Sequence, residues 1–188
     1  MTAMARPRHE LTVHRRCRGI DRVEQRIREV GEQAGQLVAR RVGGPLPLVE
    51  IALTDRKGVI SLVQQADVAL AGSGVSWRRR AVGRVLDHWS VRPLAGTALT
   101  PSGALVAIDA TRHRNLRELD RTLVHELAHC VQLNLPGARE RHIAYLRQQY
   151  AITEHSTTDE AAYERLIDVR EQQAENLEVL ARQLPKGH

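Results

Sequence analysis

The chain has 188 residues, of which 42% are hydrophobic but only 3% aromatic, with no phenylalanine; this length suits one domain with an aliphatic core of Leu, Val, Ile and Ala. Its 28 Lys and Arg against 22 Asp and Glu leave a net charge of +6, spread along the chain, which permits acidic partners without naming one. Two cysteines, Cys17 and Cys130, exclude a disulfide framework, and the absence of any run of about eighteen apolar residues excludes a membrane-spanning helix.

In chain order, residues 1–18 are basic and hold no apolar run of signal-peptide length. They are read as a flexible leader, with residues 19–188 as one domain of a cytoplasmic protein. His9 and His14, five apart, point about 140° away from each other on a helix, so they do not form a metal pair. Ile20, Val23, Ile27, Val30, Ala34, Leu37 and Val38 recur at helical spacing, which predicts a helix from Ile20 to Val42 closed by Gly43-Gly44-Pro45. Leu46 to Thr54 is predicted as a strand. Asp55 to Leu70 carries two readings, a helix capped near Asp55 and a strand through Gly58 and the β-branched Val59-Ile60.

Trp77-Arg78-Arg79-Arg80 is the densest basic cluster. It reads as a solvated helix face, or as a phosphate contact in which Arg forks grip the backbone and Trp77 stacks. Ala81 to Trp89 is predicted as a short helix. Thr97 to Thr100 and Gly103 to Ala110 should pair as a hairpin across the Thr100 to Gly103 turn.

Arg117 to Leu135 is predicted as an amphipathic helix with Leu119, Leu123, Val124, Leu127, Ala128 and Val131 on its apolar side, stopped by Pro136-Gly137. Inside it, His125, Glu126 and His129 spell H-E-x-x-H. Residues four apart share a helix face, so both imidazoles can close on one metal ion, for which Zn2+ is the usual occupant. Glu126 then sits beside the ion as the base for its water. A sheet edge next to such a helix can hold an extended peptide by main-chain pairing. Cys130, one residue past His129, should be a small buried thiol.

Ala138 to Tyr150 is predicted as a short helix, Thr153 to Thr158 as a polar turn, and Asp159 to Leu184 as a last helix with many acids. Relative to the line through Tyr163, Ile167, Ala174, Leu177 and Ala181, Glu171 lies about 70–80° away, at the rim of the apolar face.

At these residues the chain resembles the zincin metallopeptidases, and more narrowly the gluzincins. Glu171-Gln172-Gln173-Ala174-Glu175 is similar to the E-x-x-A-[D/E/N] helix of small gluzincins such as the ImmA/IrrE-like peptidases. The resemblance covers residues 104–184. The metzincin extension is absent, since Gln132 stands in place of its Gly and Leu135 in place of its His. The resemblance implies a small α+β zincin-like fold, with a short mixed or antiparallel sheet packed on the motif helix. It also implies Zn2+ held by His125, His129 and Glu171, Glu126 as catalytic base, and a protein or peptide substrate. Glu175 and Glu178 stay open as third ligands. So do His142 and His155, which would move the chain toward the SprT-like, DNA-associated proteases, and, more remotely, Asp159 by likeness to the aspzincin signature. Tyr145, Tyr150, His142 and His155 are unranked candidates for stabilising an oxyanion. The alternative function is a nucleic-acid- or partner-binding module with non-catalytic zinc. Weak nucleic-acid binding and no membrane partner are expected, and spacing does not give an oligomeric state.

Overall fold

The computed structural model describes residues 11–72, 94–113, 115–154 and 156–186. Its elements are β1 (Leu11–Arg15), α1 (Asp21–Val42), β2 (Val49–Thr54), α2 (Arg56–Ala71), β3 (Ala95–Leu99), β4 (Ala104–Asp109), α3 (Leu116–Leu133), α4 (Ala138–Gln149) and α5 (Thr157–Leu177), followed by a 3₁₀ turn over Glu178–Gln183. The strands form a four-stranded mixed sheet in the order β1-β2-β4-β3. β1 and β4 run parallel to β2, while β3 returns antiparallel to β4 with Thr97 opposite Val106. The class is therefore α+β, with the motif helix α3 packed on a mixed sheet.

Strand side chains alternate between faces, and here both faces are covered. Val106 and Ile108 point into the main core with Val49, Ile51 and Leu53, where they meet Ile27, Val30 and Val38 of α1 and Leu119, Leu123 and Leu127 of α3. Ala107 and Ala98 point the other way, onto Val59 and Val63 of α2. A sheet buried on both sides explains why GALVAIDA reads as a nearly unbroken apolar run.

The structure corrects the expectation of a flexible leader over residues 1–18 in its described part, from residue 11 on. Leu11–Arg15 is not a free arm but an edge strand paired in register with Val49–Leu53, with Val13 turned into the core. Asp55–Leu70 resolves as a helix because the Asp55 side chain accepts from the Gly58 amide at 2.8 Å and caps α2. Gly58, which argues for a strand in the sequence, is there for closeness: a Cβ at this position would overlap the Thr54 hydroxyl. α1 ends as read, with Gly43 at φ 82° and its amide bonded to the Ala39 carbonyl. The final helix is shorter than Asp159 to Leu184, giving way to the 3₁₀ turn after Leu177. The short helix read over Ala81 to Trp89 and the Arg78-Arg79-Arg80 cluster lie outside the described residues. Among the described residues no helix is long and apolar enough to cross a membrane.

Candidate metal centre

α3 starts at an Asn115 cap, whose side chain accepts from the Arg117 amide at 2.9 Å. Its broad apolar face, Leu119, Leu123, Leu127 and Ala128, is fixed against the sheet and α1. That docking leaves His125 and His129, one turn apart, on the side facing α5. Ala174 of α5 is fully buried in the same core. Its small side chain lets the two helices approach closely, and Glu171, one turn earlier, is carried to the histidine pair.

The three donor groups converge. The Nε2 atoms of His125 and His129 are 3.0 Å apart, and the two Glu171 oxygens lie 3.3 Å from one Nε2 each. In a tetrahedral zinc site with bonds of about 2.0–2.1 Å, neighbouring ligand atoms are separated by about 3.3 Å. The two His–Glu contacts equal that separation, each through a different Glu171 oxygen, and the His–His contact is shorter; among the described residues His125, His129 and Glu171 form the group that could hold a metal ion.

The outer atoms of the imidazoles support the same orientation. Gln132 is 2% exposed and donates its amide to the Arg170 carbonyl at 3.1 Å and to Gln173 Oε1 at 3.3 Å. A carbonyl only accepts, so the other Gln132 atom is the oxygen, and it faces His129 Nδ1 at 3.0 Å. His129 therefore carries its proton on Nδ1 and turns the Nε2 lone pair toward the centre. Glu178 plays a looser version of this part for His125, with Oε1 at 3.3 Å from Nδ1. The contact is an ion-pair distance without the alignment of a hydrogen bond.

The donor groups also perturb one another's charge. Burial pulls the His125 pKa down, but the bond to Glu171 and the charges of Glu126, Glu171 and Glu178 outweigh it and push it up to about 9. The bonds to His125 and His129 hold the Glu171 carboxyl well below the usual carboxylate range. A proton on His125 and a divalent ion would compete for the same lone pair, so binding of such an ion near neutral pH would release that proton.

Glu126 points to the sheet. It is 6% exposed, and Thr97 of β3 donates to its Oε2 at 2.7 Å. Burial raises its pKa, against the pull of His129, His125 and the Thr97 bond. Cys130 is fully buried and its thiol is driven upward by that burial, leaving a packing residue rather than a nucleophile.

No protein-family model, curated protein or solved structure matches the chain.

The rival ligands have other occupations. Glu175 is exposed and accepts from Gln172 at 3.2 Å. His142 Nδ1 bonds to the Tyr163 hydroxyl at 2.7 Å, and its Nε2 stands 3.9 Å from buried Asp67. Tyr145 stacks on Tyr163 with ring centroids 4.4 Å apart. The Asp159 amide closes the cap of α5 on Ser156, and His155 lies outside the described residues. Two residues that sequence reasoning passes over take part here, Thr97 and Gln132. Thr97 gives itself away only as a polar residue in an otherwise apolar strand. Gln132 does so as a polar residue seven positions after His125, on the same side of the helix.

The centre is partly open. Glu171 is 50% exposed at its side chain and the two imidazoles are 19% and 14% exposed, so solvent reaches the ligands from the α5 side. Every residue of β3, the strand beside Glu126, is buried.

Proposed function

We propose that this chain is a zinc-dependent metallopeptidase of gluzincin type that hydrolyses peptide bonds in a protein or peptide substrate. The observation that supports the reading is the convergence of His125, His129 and Glu171, with ligand atoms 3.0–3.3 Å apart, next to a buried carboxylate at Glu126. Zinc, when bound, supplies a Lewis acid for the scissile carbonyl and lowers the pKa of its water. The chain's own groups do the rest. Thr97 fixes Oε2 of Glu126, leaving Oε1 to take the proton from the attacking water, and the raised basicity of a buried carboxylate suits it to that task at neutral pH. The same carboxyl then delivers the proton to the leaving amine. Gln132 holds His129 in its tautomer and joins α3 to α5, keeping the donor set together while charge moves.

The test is cleavage of a fluorogenic peptide library by zinc-loaded protein and by Glu126→Gln. The expected loss is about 100-fold or more with zinc content unchanged. Cleavage that survives the substitution, or a fully zinc-loaded parent that cleaves nothing in the library, overturns the reading.

A further inference from the structure

A second concave site lies away from the metal centre, between the start of α1, the first turns of α3 and the segment after the 3₁₀ turn. The cavity is about 760 Å³, and its lining brings together Arg22, Arg26, Arg117, Arg121, Arg182 and Lys186 against a single carboxylate, Asp120. That carboxylate is already taken: Arg26 binds both of its oxygens, at 2.9 and 2.7 Å. Among the described residues the other five cations form no ion pair. Four of them are arginines, whose planar forks match phosphate oxygens two at a time. Like charges converging on one hollow repel each other, and the neighbouring N-terminus of α3 adds to the positive field.

We propose that this cavity binds a small organic polyphosphate, of the class of a nucleoside di- or triphosphate. The charge asks for more than one phosphoryl group. The volume lies within the ordinary range for small-molecule sites, about 300–1,000 Å³, and exceeds what inorganic phosphate needs. Leu116, Ala181, Leu184 and Pro185 in the same lining offer apolar surface to an uncharged organic part. The cations come from three separate chain segments around a hollow, which fits a compact ligand better than a strand of nucleic acid lying along a basic stripe. A ligand gripped by Arg117 and Arg121 on one side and by Arg182 and Lys186 on the other would also tie down the segment that follows Glu178. The proposal stands independently of the peptidase reading, because no metal ligand lines the cavity.

The experiment is isothermal titration of inorganic tripolyphosphate and of adenosine triphosphate into the full chain, in buffer free of divalent metal so that chelation cannot mimic binding. Both should bind a single site. The double variants Arg117→Gln/Arg121→Gln and Arg182→Gln/Lys186→Gln should each weaken binding about tenfold or more. Arg40→Gln/Arg41→Gln, the same charge change at the far end of α1, should leave it unaltered. The proposal fails if the control pair loses as much as the cavity pairs, or if neither phosphate binds more tightly than sulfate. It fails equally if a short oligothymidylate binds more tightly than adenosine triphosphate and is weakened by the same variants, which would assign the site to nucleic acid.

Discussion

Replacing Gln132 by Leu tests whether one buried amide both sets the tautomer of a zinc ligand and docks the helix that carries another. Leu has nearly the volume of Gln, so the perturbation is chemical rather than steric. It strips three contacts at once: the acceptor for His129 Nδ1 at 3.0 Å and the donors to the Arg170 carbonyl at 3.1 Å and to Gln173 at 3.3 Å. A buried group left without its partner costs about 1–3 kcal/mol. Two such groups, the Arg170 carbonyl and His129 Nδ1, partly offset by the apolar gain of Leu, give a net loss of about 2–4 kcal/mol. For a chain of this length that is a fall in Tm of roughly 5–15 °C. Losing the outer partner of a metal-ligating histidine should also weaken zinc binding about 10–100-fold. Gln132→Glu separates the two parts: it keeps an acceptor for His129 but faces the Arg170 carbonyl with a carboxylate, so stability should drop while zinc affinity stays within a few-fold. Urea unfolding of zinc-free protein reads the first quantity, and competition with a chromogenic chelator reads the second. A Gln132→Leu protein that holds zinc as tightly as the parent would refute the reasoning.

Thr97→Val removes the donor that holds the Glu126 pKa down. That pKa should rise further, and the acid limb of the pH–rate profile should move to higher pH; an unmoved limb would mean that Glu126 does not govern it. Ala174→Leu forces extra methyl groups into a fully buried contact between α3 and α5. It should cost about 1–3 kcal/mol and displace Glu171, lowering zinc affinity far more than Ala174→Gly, which only loses helix propensity; equal affinities would show that the two helices do not meet at this residue. Asp67 is buried beside His142, and burial raises its pKa above the ordinary 3.8. The folded state therefore holds a proton that the unfolded chain gives up, and the stabilising contribution is present at low pH and lost as pH rises through the raised value. Urea unfolding across pH about 4–7 should show the parent losing stability relative to Asp67→Asn as pH increases; parallel curves would contradict the shift.

The motif helix and the hairpin before it were legible because their signals are local. Periodic Leu and Val fix one face of α3, Pro136-Gly137 lies just beyond its end, and turn residues separate β3 from β4. In the sequence Glu171 is preferred over Glu175 and Glu178 only through its resemblance to a known helix pattern, since all three belong to one broad acidic stripe. What brings Glu171 to the histidines is the burial of Ala174, a tertiary fact. β1 escaped notice for the opposite reason. Its alternation is real, but a short edge strand buries little, and the surrounding arginines give Leu11–Arg15 the composition of a tail. Asp120 and Arg26 are 94 positions apart, and Thr97 meets Glu126 across 29. No local period encodes such pairs, which is why the cavity cluster and the partner of the base emerge only from the fold.

The most direct measurement is zinc bound per chain, by elemental analysis after exhaustive dialysis, in the parent and in His125→Ala, His129→Ala, Glu171→Ala and Glu175→Ala. The parent and Glu175→Ala should each retain about one zinc, as a site with three protein ligands requires, and the other three should lose most of it while remaining folded. Retention of stoichiometric zinc by Glu171→Ala, or by either histidine variant, would contradict the assigned centre.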